Sequence, residues 1–468
     1  MSAPTSCDAI IIGSGQAGNP LAVALAGAGR RVVLIEENLL GGSCINYGCT
    51  PTKTLLATAE RMHHIRTAAE VAAPLLPGAG TLTVDLATAI ARKTQVLEAL
   101  REGVRSNLID ENPGITVLAG HAAFTGPHTV AVALAEGTRE LSAPLIFINT
   151  GTRTAIPDNI EGLTDSGYHT STTLMELQDL PEHLLIVGGG YIGLELGQMF
   201  RRFGSKVSIV ENGPALLEHE DADVSGALQS ALEAEGIRFV LGAQARRVSR
   251  SATGLTLTAH TAQGTRHLRG SHLLLATGRR PNTDRLGLGY AGIQTDEQGY
   301  IPVDSNLQTK VRGVYALGDV HPGPQFTHLA YDDYRIVRDA LLHGKRRSAR
   351  QRPLPYCVFT EPQLARIGLN EAQAREKKVP YRVASMPVSV IGRARHTSQP
   401  AGFWKVLVGD DDQLLGAALL GGQAGEVMSV LQVAMTGRLR YQQLQEIIFA
   451  HPIWAEGLNN VFRDLRRP

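Results

Sequence analysis

Cys44 and Cys49 are the residues of this chain best suited to chemistry. They stand five apart in Gly41-Gly42-Ser43-Cys44-Ile45-Asn46-Tyr47-Gly48-Cys49-Thr50-Pro51-Thr52-Lys53. Two neighbouring thiols can cycle between dithiol and disulfide, carrying two electrons per cycle. Geometry limits how they meet. A regular helix would separate their Cα atoms by about 7.5 Å, whereas a disulfide needs them within about 7 Å. The backbone must therefore bend between them, and Gly48 eases the bend. Pro51 is compatible with an early helical turn, where its missing N–H does no harm. A helix N-terminus there would lower a thiol pKa and favour the reactive thiolate. From spacing alone, two other readings stay open. The thiols are buried and inert, or they ligate zinc with His63 or His64, although no CxxC pair completes a four-ligand set.

The elements that must position this pair are legible upstream. Asp8-Ala9-Ile10-Ile11-Ile12 reads as a strand, Gly13-Ser14-Gly15-Gln16-Ala17-Gly18 as a glycine turn, and an Ala/Leu-rich helix follows, then Arg31-Val32-Val33-Leu34-Ile35-Glu36. The unit recurs at 184–211, with Gly188-Gly189-Gly190-Tyr191-Ile192-Gly193 as the turn and Glu211 at the next strand end. A lone GxGxxG is a weak signal, but strand, helix and terminal acid together fit a dinucleotide site. Gly13 and Gly188 permit the tight turn, Gly15 and Gly190 admit a pyrophosphate, and Gly18 and Gly193 let helix and strand pack. The helix N-terminus offers free N–H groups and a positive dipole end. Glu36 and Glu211 would each accept hydrogen bonds from a ribose. A carboxylate at 211 favours a free 2′-OH, predicting NADH, with NADPH the alternative should a distant Arg or Lys intervene. Two matched strands ending in Thr-Gly, Ile146–Gly151 and Leu273–Gly278, close the two halves, and Gly151 and Gly278 are placed with the cofactor-binding residues.

Composition sets the frame. With 468 residues the chain predicts two to four domains. Its 50 glycines suggest tight turns or close backbone approach to a ligand. Lys plus Arg, 45, nearly balances Asp plus Glu, 44, so no global charge draws it to nucleic acid or an anionic membrane. No run approaches the roughly 18 apolar residues of a membrane helix, and the first residues lack a signal-peptide pattern, which predicts a cytoplasmic protein. Four cysteines are too few for a disulfide framework; Cys7 and Cys357 match no redox motif and read as structural. The basic stretch 343–353 reads as a solvated linker and a domain boundary.

The run GGSCINYGCTPTK resembles the redox motif of the pyridine nucleotide–disulfide oxidoreductases, which include dihydrolipoamide dehydrogenase, glutathione reductase and mercuric reductase. The resemblance covers essentially the whole chain. It includes Val314-Tyr315-Ala316-Leu317-Gly318-Asp319 and His451-Pro452-Ile453-Trp454-Ala455-Glu456. It implies an α/β fold of two Rossmann-like dinucleotide-binding domains plus an α+β C-terminal dimerisation domain. The expected segments are 1–152 and 271–345 for FAD, 153–270 for NAD(P) and 346–468 for the interface. It implies an enzyme passing electrons from NADH through FAD to the Cys44–Cys49 disulfide. Cys49 would be the charge-transfer thiolate, Cys44 the interchange thiol, and Asp319 a partner of the ribityl chain. Lys53 and Glu195 would pair near the flavin ring. His451, oriented by Glu456, would act as general acid/base across an obligate homodimer.

The acceptor is less fixed. Ile453 replaces the usual Thr, Trp454 follows it, and Tyr47 stands between the cysteines. The segment Phe326–Arg335 and the Cys-Thr-Pro-Thr-Lys-Thr wording resemble the mercuric-reductase-like branch, including flavoproteins of metal and reactive-chlorine defence. The expected acceptor is therefore a metal ion such as Cu(II) or Hg(II), or another small oxidant. The vicinal C-terminal cysteines of mercuric reductase are not matched, which puts that enzyme's thiol relay in doubt. Two alternatives stand beside it: a dihydrolipoyl dehydrogenase or related disulfide reductase, and a flavin-binding redox sensor or interaction protein whose cysteines do not turn over.

Overall fold

The computed structural model describes residues 4–71, 83–252 and 254–468. The chain divides into two compact units. The first comprises Met1–Thr54, Ile90–Ala155 and Gly278–Arg352; the second comprises Leu55–Ala89, Ile156–Thr277 and Pro353–Pro468.

The first unit is built on a five-stranded parallel sheet. Its order is Val314–Ala316, Leu145–Ile148, Ala9–Ile12, Val32–Glu36 and Ile115–Ala119. The central strand Ala9–Ile12 is buried along its length, as its unbroken apolar sequence requires of a strand covered on both faces. Leu21, Ala22 and Leu25 of the helix Gly18–Gly27 pack on that sheet with Ile11 and Leu34, all essentially without solvent exposure. Each fully buried aliphatic side chain of this kind contributes roughly 1.5–3 kcal/mol. A meander of His121–Gly126, Thr129–Leu134 and Gly137–Ser142 adds a second layer, and its Phe124 and Val130 share a core with Ile10 and Ile146.

The second unit repeats the theme. Four parallel strands lie in the order Arg238–Val240, Lys206–Val210, His183–Val187 and His272–Leu275. The strand His272–Leu275 belongs to this sheet, so the chain returns to the first unit at Gly278 rather than at residue 271. The C-terminal part forms a five-stranded antiparallel sheet from Tyr356–Val358 to Arg382–Pro387. The helix Ala424–Thr436 and the fully buried Trp404 pack into its core. The two repeats and this α+β portion make up the fold class expected from the sequence.

The break between units falls after Arg352, inside the basic stretch 343–353. That stretch is mostly exposed, as expected of a linker, and is anchored near its end. Arg347 pairs with Asp332 at 2.8 Å and Arg352 with Asp333 at 2.7 Å. The buried Asp333 holds the Arg352 guanidinium largely out of water, whereas Arg347 stays exposed. No helix among the described residues is long and apolar enough to cross a membrane.

Candidate redox site

The bend required between the cysteines is present. A short helix, Gly42–Asn46, carries Cys44 and ends at Tyr47, whose φ of −138° leaves the helical region; a second helix, Cys49–Val71, begins at Cys49 itself. Gly48 serves this bend through close approach. A Cβ there would lie 3.0 Å from the carbonyl oxygen of Ser43 and 3.5 Å from the Cα of Cys44. Pro51 stands in the first turn of the second helix, where no intrahelical N–H bond is lost.

Cys49 sits where two helices start. Its Sγ is 3.2 Å from Oγ1 of Thr327, the first residue of the helix Thr327–Leu342. Two helix N-termini favour negative charge on this sulfur, and the Thr327 hydroxyl is within hydrogen-bond reach of it. The Cys44 thiol is pushed well above the usual thiol range, first by its hydrogen bond to Cys49 and then by burial. Cys44 is thereby held in its protonated form beside Cys49.

The loop bearing Cys44 is fixed by Asn46, which is buried. Its Nδ2 donates to the carbonyls of Leu39, Leu40 and Gly42 at 3.0–3.2 Å, and its Oδ1 accepts from Nε of Arg101 at 2.6 Å. Arg101 comes from the helix Leu86–Arg105. Arg101→Ala leaves a buried acceptor unpaired, an expected loss of about 1–3 kcal/mol. Denaturant unfolding checks the loss, and slower disulfide exchange is expected because Cys44 is two residues from the released amide.

The glycine turns suit a dinucleotide. Gly13, at φ +105°, is pressed against the next strand end, where a Cβ would meet the carbonyl oxygen of Asn149 at 2.4 Å. Gly188, at φ +112°, has the same relation to Ala276 at 2.3 Å. A Cβ on Gly18 would strike the Gly13 carbonyl at 2.4 Å, and one on Gly193 the Gly188 carbonyl at 2.1 Å. Gly15 and Gly190 differ. A Cβ on Gly15 would meet the Asn149 amide at 2.8 Å, while one on Gly190 meets nothing within 4 Å. The amide of Asn149 donates to the Gly13 carbonyl at 3.1 Å, a contact the motif alone does not disclose. The cysteine loop abuts the first turn: a Cβ on Gly42 would lie 2.6 Å from the Cα of Gly15.

Both terminal carboxylates face their turns. Glu36 accepts from the N–H of Ser14 at 2.8 Å and of Asn38 at 2.9 Å; burial outweighs these bonds and raises its pKa. Glu211 accepts from Gly189 at 2.5 Å and Gly213 at 2.7 Å. Each is held at the turn, where a ribose would lie if a pyrophosphate sat on the helix N-terminus.

Asp319 stands in the turn Gly318–Val320 that follows Val314–Ala316, 3.4 Å from Thr152 Oγ1, and burial raises its pKa against the opposing pull of Arg279. Gly151 and Gly278 both have positive φ, 63° and 97°. The N–H of Gly318 donates to Asp333 at 2.8 Å, and the buried Asp333 also takes His321 Nε2 at 2.9 Å and Arg352 Nη1 at 2.7 Å. Sequence reading gave Asp333 no role, yet it anchors the turn that presents Asp319.

Lys53 stands in the first unit, in the second turn of the helix Cys49–Val71, and Glu195 in the second unit. Glu195 is buried and accepts from the N–H of Phe359 at 2.9 Å. In the second unit His451 Nδ1 lies 3.0 Å from Glu456 Oε2 and 3.1 Å from Oε1. That contact turns Nε2 away from the carboxylate, and the imidazole is largely exposed. Trp454 is core: it is buried, and a Cβ on Gly422 would lie 2.4 Å from its ring. Ile453 remains 40 % exposed beside the histidine.

Comparisons with known proteins agree with this geometry. Residues 7–333 match the family model for pyridine nucleotide-disulphide oxidoreductase, and residues 354–462 match that family's dimerisation domain. The chain is 40 % identical to the probable pyridine nucleotide-disulfide oxidoreductase RclA of Escherichia coli, covering 97 % of this chain and 98 % of the relative. It is 36 % identical to a mercuric reductase of Lysinibacillus sphaericus, over 96 % of this chain and 81 % of that enzyme. A dihydrolipoyl dehydrogenase of Thermus scotoductus is 33 % identical, over 96 % and 95 %. The solved Cu(II) complex of the HOCl-induced flavoprotein disulfide reductase RclA from Escherichia coli superposes with a TM-score of 0.88 at 39 % identity, covering 98 % and 99 % of the two chains. The chain therefore belongs to the class I pyridine nucleotide-disulfide oxidoreductases, flavoprotein enzymes that use FAD and NAD(P)H and act through a disulfide.

Proposed function

We propose that this enzyme uses NADH to reduce a metal ion, of the Cu(II) or Hg(II) kind, or another small oxidant, through Cys44 and Cys49. The observation that carries the reading is the setting of Cys49, at two helix starts and 3.2 Å from Thr327 Oγ1, with Cys44 held as its proton-bearing partner. Such a pair separates roles: one sulfur is stabilised as thiolate, and the other is free to meet the acceptor once reduced. Likeness to RclA, solved with Cu(II), and to mercuric reductases supports a metal acceptor.

Bound FAD supplies the two-electron link between NAD(P)H and the disulfide. Gly13, Gly15, Gly18, Glu36, Gly151 and Asp319 would hold that group. Gly188, Gly190, Gly193, Glu211 and Gly278 would hold the nicotinamide nucleotide. Lys53 and Glu195 are the charge pair that the family resemblance assigns to the flavin ring. We assign 1–152 with 278–345 to FAD, 153–277 to NAD(P) and 346–468 to the interface, in a cytoplasmic homodimer.

A second reading has its own support. His451 and Glu456 keep the geometry of an oriented acid/base, which suits a dithiol–disulfide substrate such as lipoamide. Comparing NADH consumption with Cu(II) or Hg(II) salts and with lipoamide, in wild type and Cys44→Ala, separates the two. Fast, Cys44-dependent turnover with metal and not lipoamide supports the first reading; the reverse pattern replaces it by the second.

Nucleotide choice has a separate test. Glu211→Arg removes the ribose acceptor and adds a phosphate partner, so the NADH:NADPH ratio of kcat/KM should fall at least about tenfold, a change of 1.4 kcal/mol. An unchanged ratio would remove Glu211 from the ribose role.

A further inference from the structure

A second group of ligand atoms lies in the second unit, away from the cysteines. Glu60 and His64 are one helical turn apart on the helix Cys49–Val71, an i, i+4 pair that shares one face. Glu361 reaches the same place from the loop before the strand Gln363–Gly368. One ligand atom from each of the three lies within 4.8 Å of the others. Glu60 lies 11 residues beyond Cys49, about 16 Å along the helix axis, so this group is separate from the redox pair.

The His64–Glu361 spacing admits a cation between them. His64 Nε2 and Glu361 Oε1 are 3.5 Å apart. That is long for a charge-assisted hydrogen bond. It is close to the roughly 3.3 Å between two ligands of a tetrahedral ion with bonds of about 2.0–2.1 Å. Glu361 is also held in place. Its Oε2 accepts from Arg202 Nη1 at 2.7 Å, and its Oε1 from Gln399 Nε2 at 2.7 Å. Burial works against its charge, but Arg202 and Gln399 outweigh it and keep the carboxyl below the ordinary carboxylate range. Arg202 is balanced in turn by Glu235, through contacts of 2.7 and 2.9 Å, so its charge is not left to repel a cation alone. Oε1 keeps a lone pair for a further partner.

We propose that Glu60, His64 and Glu361 bind a divalent cation of the zinc class, with an open fourth position. One imidazole and two carboxylates suit such an ion, and the two carboxylates cancel its charge. The site is independent of the electron acceptor and of the Cys44–Cys49 cycle.

The test is calorimetric titration of Zn(II) into the holoenzyme with the cysteine pair oxidised and no nucleotide present. Wild type should bind one equivalent saturably. His64→Ala and Glu60→Gln should each weaken binding by more than the roughly 10–100-fold that loss of an outer partner of a metal ligand costs. His63→Ala should keep it, since His63 is the neighbouring imidazole but not one of the three ligands. Unchanged flavin content and NADH oxidation show that the variants are folded. Absence of saturable binding in wild type, or wild-type affinity in His64→Ala, overturns the proposal.

Discussion

Cys44→Ala and Cys49→Ser should each abolish the NADH-driven appearance of thiols while leaving the protein folded and flavin-loaded. Anaerobic NADH treatment of wild type opens the disulfide, so thiol titration should find two more reactive sulfurs per chain than before. Cys7 and Cys357 give a constant background in every variant. Neither variant can form the disulfide, so neither should gain thiols, and acceptor reduction that depends on the pair should fall at least about a thousandfold. A gain of two thiols in Cys44→Ala would show that another cysteine takes part and would overturn the pairing. Thr327→Val probes the same site more gently. It removes the hydroxyl 3.2 Å from Cys49 Sγ without changing the helix start, so the Cys49 thiolate should be less favoured. The pH dependence of thiolate absorbance in a Cys44→Ser background measures it.

The largest stability effect is expected at Asp333. Its carboxylate is 1 % exposed and takes three donors: the Gly318 N–H, His321 Nε2 and Arg352 Nη1. Asp333→Ala removes the shortest partner of a guanidinium that is itself 11 % exposed, leaving it the Leu329 carbonyl at 3.1 Å and Asp332 at 3.4 Å, and it leaves the Gly318 N–H without its acceptor. Breaking a buried pair by removing one partner costs about 3–5 kcal/mol. The loss should also free the Gly318-Asp319 turn and weaken flavin retention. Denaturant unfolding and the flavin content of the purified variant check both. A change below about 1 kcal/mol would mean that water replaces the carboxylate and that the network is dispensable.

Much of this enzyme was legible in its sequence because its signals are local. Each glycine turn lies within a few residues of the strand and helix it joins, and Glu36 and Glu211 end the next strand. The cysteine bend followed from two lengths, the helical rise and the reach of a disulfide, and the structure supplies it at Tyr47 and Gly48. His451 and Glu456 are five residues apart, so one short turn brings them together.

What the tertiary structure alone decided lies at long range. Thr327 meets Cys49 from 278 residues away, and Arg101 reaches Asn46 across 55. Glu361 comes beside His64 from a different element. Strand order placed His272–Leu275 next to His183–Val187 and moved the boundary to Gly278. Trp454, whose place beside Ile453 assigns it no role by sequence, packs against Gly422. The physical reason is common to all of these. Local propensity and spacing fix which residues form a turn, a strand or a cap. Which distant surfaces then meet is chosen by burial of apolar faces and by the need to pair every buried charge, and neither is written in any one segment.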